Sequence, residues 1–290
     1  MKTKLPLSVI IVLLIAAPAF AQRQHTLTGD IRVHKDFQSK ILNNSRDIIV
    51  YLPPGYKEQA KRRYPVFYMH DGQNLFDGAT SFINGQEWRA DETAQSLIEA
   101  QQIKPVIIVG IYNAGKERIN EYTPEQDLKY KAGGQADLYG RMLVEELKPF
   151  IDQNYRTLKT AKDTGLGGSS LGGIVSLYVG LKYRNVFNRL AVISPSVWFA
   201  DKQILRFVES QPYSPKVRIW LDIGTKESSK PEEASNAVSD TRLLKDALTK
   251  KGWKLEQQLR YVEDAGAEHN ERAWASRLSS ILQFLFPFRE

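Results

Sequence analysis

Apolar positions along this chain recur with two different periods that take turns. Short apolar runs at residues 47–52, 64–70, 105–112, 189–193 and 217–223 have strand character, and weaker ones lie at 26–33 and 253–262. The run at 105–112, PVIIVGIY, is nearly continuous, which predicts a strand covered on both faces. Between these runs, apolar residues three and four apart predict helices over 86–101, 136–155, 171–183, 201–210, 234–250 and 270–286. In the 136–155 segment the apolar side is Leu138, Met142, Leu143, Leu147, Phe150 and Ile151. Strand and helix alternate over almost the whole length, the signature of an α/β fold with a mostly parallel twisted sheet and helices on both faces. No internal repeat, low-complexity tract or linker breaks the alternation, so residues 22–290 are expected to form a single domain.

The first residues follow a different pattern. Lys2 and Lys4 precede an apolar run from Leu5 to Ala17, and Ala19-Phe20-Ala21 follows as an A-x-A site. This predicts a signal peptide over residues 1–21 with cleavage before Gln22, and hence a periplasmic or secreted protein. The run is shorter than the roughly 20 residues that a spanning helix needs, so no membrane attachment is expected after cleavage. The chain has no cysteine, which removes disulfides, cysteine–zinc sites and a lipid-modified cysteine at the junction.

Charge adds little. The formal net charge of +7 includes Lys2 and Lys4, leaving 7 − 2 = +5 after cleavage. The densest basic group, Lys57, Lys61, Arg62 and Arg63, is interrupted by Glu58, and no nucleic-acid-binding motif accompanies it, so no nucleic-acid partner is expected. Nothing in the pattern sets an oligomeric state, and no metal or cofactor is called for.

The most informative stretch is TGLGGSSLGGIVSLYVGLKY, residues 164–183. It reads as a strand end, a glycine-dense turn and a helix, and Gly168, Ser170 and Gly172 fit G-x-S-x-G, the nucleophile elbow. In that turn a serine hydroxyl is lifted clear of the sheet, and glycines on either side relieve crowding. Leu171 would open the helix, so its backbone N–H is a free donor beside the serine, suited to a developing oxyanion.

A serine hydroxyl needs a base near neutral pH, usually a histidine oriented by a carboxylate, and in elbow hydrolases the chain order is serine, acid, histidine. Of the four histidines, His25, His34 and His70 precede Ser170; only His269 follows it, in DAGAEHNER before the last predicted helix. The acid is expected after the strand VRIWLDI, in the loop GTKESS, where Glu227 is the first candidate and Asp222, inside the strand, the second. A second oxyanion donor is expected in the loop after the third strand, where Gly72 lets the N–H of Gln73 face the serine. His70 and Asp71 would close that strand and hold the loop by hydrogen bonds.

Further segments carry a resemblance: PVFYMHDGQNLFD (65–77), EWRADET (87–93), VGIYN and RINEYTP (109–124), GLGGSSLGG (165–173), SPSVW (194–198), DIGTKE (222–227) and EHNERAW (268–274). The chain resembles the esterase D-like branch of the α/β-hydrolases, the group with enterochelin esterase-like and feruloyl or acetyl-xylan esterase-like enzymes. The resemblance implies an α/β-hydrolase fold with Ser170 as nucleophile, His269 as base and Glu227, where many relatives have aspartate, as acid. It also implies that Trp198 lines the site beside the serine and that Arg118 and Tyr122 lie near the substrate.

The expected activity is therefore metal-independent serine-esterase hydrolysis of a small-molecule or oligosaccharide ester. Trp88, Tyr122 and Trp198 could face sugar rings or phenolic acyl groups, which favours acylated carbohydrates. A catecholate-siderophore lactone held by Arg118 is the alternative substrate. A non-catalytic carbohydrate- or partner-binding module on a hydrolase scaffold is the alternative outside enzymology.

Overall fold

The computed structural model describes residues 24–289; residues 1–21, the expected signal peptide, lie outside the described residues. The strands are β1 (Asp30–Ser39), β2 (Asn44–Leu52), β3 (Val66–His70), β4 (Ile107–Ile111), β5 (Gln126–Asp127), β6 (Ala132–Gly133), β7 (Thr164–Ser169), β8 (Arg189–Ile193), β9 (Arg218–Lys226) and β10 (Leu259–Glu268). The α-helices are α1 (Ala90–Glu99), α2 (Arg118–Tyr122), α3 (Ala136–Arg141), α4 (Lys148–Asn154), α5 (Leu171–Lys182), α6 (Phe199–Ser210), α7 (Pro231–Lys251) and α8 (Glu271–Leu285). Eight strands form one sheet in the order β1-β2-β4-β3-β7-β8-β9-β10, while β5 and β6 make a small separate hairpin. Within the large sheet β1–β2 and β2–β4 pair antiparallel and every other neighbouring pair is parallel. The mostly parallel sheet with helices on both faces is thus the arrangement that the alternating pattern predicts.

The strand pleat divides the core into two layers. On one face Ile48, Val50, Tyr68, Val109 and Leu166 pack with residues of α5 and α7; on the other Ile49, Tyr51, Phe67 and Ile108 pack with α1 and α8. β4 is buried along its whole length, as its unbroken apolar sequence requires.

Three differences from the pattern have simple causes. β1 begins at Asp30, four residues after the expected start at residue 26, because it is an edge strand whose residues are mostly exposed or half-buried and need no apolar period. In the 136–155 segment the helix passes through a π-helical stretch, Met142–Leu147. There Tyr139 turns into the core and Leu138 is 38% exposed, so Leu138 does not belong to the buried face. The last strand runs further toward the carboxyl end than 253–262: Trp253 is a core residue outside β10, and all of DAGAE is strand. Those five residues lack β-branched side chains, so propensity reads them as a loop. Parallel pairing with β9 holds them extended, with Asp264 opposite Gly224 and, after a register shift, Glu268 opposite Lys226.

Candidate active site

In an open parallel sheet the loops beyond the strand carboxyl ends gather on one edge. Here β3, β7, β8, β9 and β10 deliver Gln73, Ser170, Ser196, Glu227 and His269 respectively to that edge.

Ser170 joins β7 to α5 with φ 61° and ψ −124°, a strained combination for a non-glycine residue. The turn is held from outside: Ser170 N–H donates to the Ile193 carbonyl at 3.0 Å, and Ser196 N–H donates to the Ser170 carbonyl at 3.2 Å. Close packing explains a flanking glycine, since a Cβ on Gly168 would lie 3.0 Å from His70 Cβ. Leu171 is the first residue of α5, so its N–H has no acceptor within the helix. Ser170 Oγ is hydrogen-bonded to Ser196 Oγ at 3.1 Å.

Near the carboxyl end of β9, Gly224 N–H donates to Glu227 Oε1 at 2.6 Å. A Cβ there would sit 2.8 Å from that same oxygen and press on the Ala267 carbonyl of β10, so only glycine lets the strand and the carboxylate share the space. Glu227 Oε1 also accepts from Ser194 Oγ at 2.7 Å, and Glu227 Oε2 meets His269 Nδ1. Burial pushes the Glu227 carboxyl up, but the hydrogen bonds to His269, Ser194 and Gly224 outweigh it and leave the group below its ordinary value. The Glu227 side chain is 4% exposed and that of His269 35%, so the carboxylate is sheltered while the imidazole faces outward. The edge of the His269 ring packs on Trp274, with centroids 4.9 Å apart, and Trp274 in turn stacks on Trp88.

Asp222, the second acid candidate, lies elsewhere. It is fully buried within β9, accepts from Trp220 Nε1 at 2.6 Å and from Ser194 N–H at 3.1 Å, and pairs with Arg277 at 3.2 Å. Burial pushes its carboxyl up, and Arg277 offsets that only in part. Arg277 also donates to Ser194 Oγ at 3.0 Å. Asp222 therefore supports Glu227 through Arg277 and Ser194, and it is Glu227 that meets the histidine.

A cavity of about 490 Å³ opens over these groups, lined by Ser170, Ser196, Trp198, Tyr130, Glu227 and His269 among others. Trp198 is 46% exposed, with its ring 5.8 Å from that of Tyr130, which projects from the β5–β6 hairpin. The hairpin is tied to the start of α6 by Asp127, which accepts from Ala200 N–H at 2.9 Å. Tyr122 does not reach this space. It is fully buried, and its hydroxyl accepts from Asp71 N–H at 3.3 Å, so its position is that of a support for the β3 loop rather than a substrate contact. Trp88 is likewise buried behind Trp274.

Arg118 lies between these cases. Its guanidinium makes a two-pronged pair with Asp71 at 2.7 and 2.8 Å and packs over the Tyr122 ring. Burial pushes the Asp71 carboxyl up, but Arg118 and Asn113 hold it below the usual range. The pair fixes the loop that carries Gln73. His70 Nδ1 shares a hydrogen bond of 2.9 Å with Tyr139 Oη below the same loop. Among the described residues, no three His, Cys, Asp or Glu side chains converge as a metal-binding group.

Sequence reasoning missed Ser194, Ser196, Tyr130 and Arg277. The first two stand in the quoted SPSVW segment, whose paired hydroxyls were a usable signal. Tyr130 and Arg277 reach the site through a hairpin and a helix whose placement depends on the whole fold.

The sequence and fold of known proteins agree with this architecture. The family described as "Putative esterase" matches residues 39–285. The uncharacterized protein YjcH of Bacillus subtilis (strain 168) is 33% identical over 221 residues, covering 75% of this chain and 83% of that protein. The endo-1,4-beta-xylanase/feruloyl esterase of Xylanibacter ruminicola is 25% identical over 273 residues, covering 92% of this chain and 33% of that protein. In fold the chain is similar to the enterobactin esterase FES from Shigella flexneri, with a TM-score of 0.70 at 18% identity over 90% of this chain and 60% of that one. With the family match running from the end of β1 to the end of α8, this chain belongs to the esterase family that the match describes.

Proposed function

We propose that this protein is a serine esterase of the periplasm or the secreted fraction that cleaves carboxylic esters of carbohydrates through a Ser170–His269–Glu227 triad. The observation that carries this reading is the contact of His269 Nδ1 with the sheltered Glu227 carboxylate on the wall of the cavity that Ser170 also lines. The location rests on the basic, apolar and A-x-A pattern of residues 1–21. Among the described residues no helix is long and apolar enough to cross a membrane.

The chemistry follows from the groups in place. Glu227 fixes the imidazole with Nδ1–H toward itself, so Nε2 is free to accept the Ser170 proton. The hydroxyl turns from Ser196 toward Nε2 as Oγ attacks the ester carbonyl. The N–H groups of Leu171 and Gln73 stabilise the oxyanion, and His269 returns the proton to the leaving alcohol oxygen. Water activated by the same imidazole then releases the acid.

Acylated carbohydrate is favoured over an anionic iron–siderophore lactone by the cavity wall. Its carboxylates Glu233 and Asp240 are paired with Lys230 and Lys202, and Arg118, the cation expected to hold such an anion, is paired with Asp71 and does not line the cavity. Trp198 and Tyr130 offer aromatic faces that suit sugar rings and phenolic acyl groups.

Labelling with a fluorophosphonate probe, followed by parallel assays on a feruloylated xylo-oligosaccharide and on ferric enterobactin, tests the reading. Labelling of the wild type but not of Ser170→Ala, with turnover of the glycan ester, is expected. Absence of labelling together with glycan binding would instead mark a non-catalytic module, and turnover of the iron complex alone would reverse the substrate assignment.

A further inference from the structure

A second cavity, of about 870 Å³, continues from the first across the imidazole; the two share Glu227, Ser228 and His269. It runs between the β9–α7 loop, the N-terminal half of α7 and the end of β10. We infer that this groove takes the alcohol half of the ester, and that its shape and lining select a polyhydroxylated glycan chain. The inference deepens the esterase reading above and rests on it.

Direction comes from the proton. In triad hydrolysis the imidazole hands its proton to the leaving oxygen, so the alcohol departs on the histidine side of the scissile bond. The larger cavity borders that imidazole, and its volume lies within the range of sites that enclose drug-sized ligands. An acyl group would then remain on the other side, against Ser170, Trp198 and Tyr130.

Selection comes from the lining. Ser235, Ser239 and Arg242 recur at four- and three-residue spacing and so share one stripe of α7. Ser235 and Ser239 are exposed, and with Ser229 they give the groove short hydroxyl groups for sugar hydroxyls. Beneath them Ala234 and Val238, 5% and 8% exposed, form an apolar floor that suits the C–H face of a sugar ring. The one arginine of the stripe is not available to an anion, because its guanidinium is held by both Glu263 oxygens at 2.7 Å. A groove of exposed hydroxyls over an apolar floor fits a polyhydroxylated glycan better than a purely aliphatic alcohol.

The test uses two substrates that share an acyl group: a feruloylated xylo-oligosaccharide and methyl ferulate, whose methanol is too small to fill the groove. Ser235→Trp and Ser239→Trp place a bulky ring on an exposed helix stripe, and each is read only against an unaltered thermal midpoint; two positions guard against one misfolding. The expected result is a tenfold or greater rise in KM for the oligosaccharide ester relative to that for methyl ferulate. In the same variants the inhibition constant of the deacylated oligosaccharide against methyl ferulate should rise to a similar extent. If the ratio of the two KM values stays fixed in both folded variants, the groove assignment is wrong while the esterase stands. If the wild type hydrolyses neither ester and Ser170 takes no label, both readings fall together.

Discussion

His269 Nδ1 meets Glu227 Oε2 across 42 positions of the chain, whereas Asp222, only five residues before Glu227, is turned away into an ion pair with Arg277. The contact assigns different consequences to the two carboxylates. Glu227→Gln would leave the volume intact but offer Nδ1 a weaker and ambiguous partner, so kcat on an aryl ester is expected to fall by roughly 10²- to 10⁴-fold. KM should change much less, because the group acts through the histidine. Steady-state kinetics at saturating ester would decide; an unchanged kcat would remove Glu227 from the triad.

Asp222→Ala should behave differently. It strips a buried guanidinium of one partner, with side chains 5% and 0% exposed, and breaking such a pair costs about 3 kcal/mol. A lowered thermal or denaturant midpoint is the expected result, with kcat in the surviving folded fraction reduced less than in Glu227→Gln. Denaturant unfolding beside the same ester assay compares the two, and a kinetic loss exceeding that of Glu227→Gln would make Asp222 the more important acid.

His70 gives a pH dependence. It lies under the β3 loop, 2% exposed, and burial lowers its pKa from 6.5 to about 3 despite the neighbouring Asp71 carboxylate. Because the folded value is depressed, the unfolded chain binds the extra proton first. The stabilising contribution is present above about pH 6.5 and is lost as pH falls toward 3. His70→Gln, which keeps a polar group near Tyr139 but does not titrate, should flatten the decline in midpoint between pH 7 and pH 4. A slope identical to wild type over that range would show that other groups govern acid unfolding.

Trp198 and Tyr130 make a further pair. Their rings approach to 5.8 Å and both stand about half exposed at the cavity mouth. Trp198→Ala is expected to raise KM for a phenolic acyl ester by about tenfold, the scale of one aromatic contact of 0.5–1.5 kcal/mol or somewhat more with its buried area. The effect on an acetyl ester should be several-fold smaller. Equal losses on both esters would point to a general role in shaping the loop.

Gly224→Ala probes the backbone. The added methyl would press on both Ala267 and the Glu227 carboxylate, forcing β9 and β10 apart where they lead to Glu227 and His269. Both thermal midpoint and kcat should fall, and a stable variant with full activity would contradict the close approach described here.

Much of this was legible in the residues themselves. The β4 run is apolar without interruption because both faces are covered, and residues 189–193 read as the strand β8 with the same ends. The glycine-dense turn marked Ser170 because a strained corner excludes side chains, and His269 was singled out because it is the one histidine downstream of that serine. The end of the last strand was not legible, since DAGAE has no strand propensity and is extended only by its pairing with β9.

What the sequence by itself determined was the local chemistry: the period of each element, the elbow, and a short set of candidates for base and acid. Local sterics and periodicity are written in neighbouring residues, so they can be read without the fold. The tertiary structure decided which candidates meet. It brought Glu227 rather than Asp222 to His269, buried Tyr122 and Trp88, tied Arg118 to Asp71, and set Tyr130 opposite Trp198. Those outcomes depend on strand register and on which side of the sheet each residue faces. They are therefore properties of the packed chain, because a side chain's partner is chosen by what the fold places within reach of it.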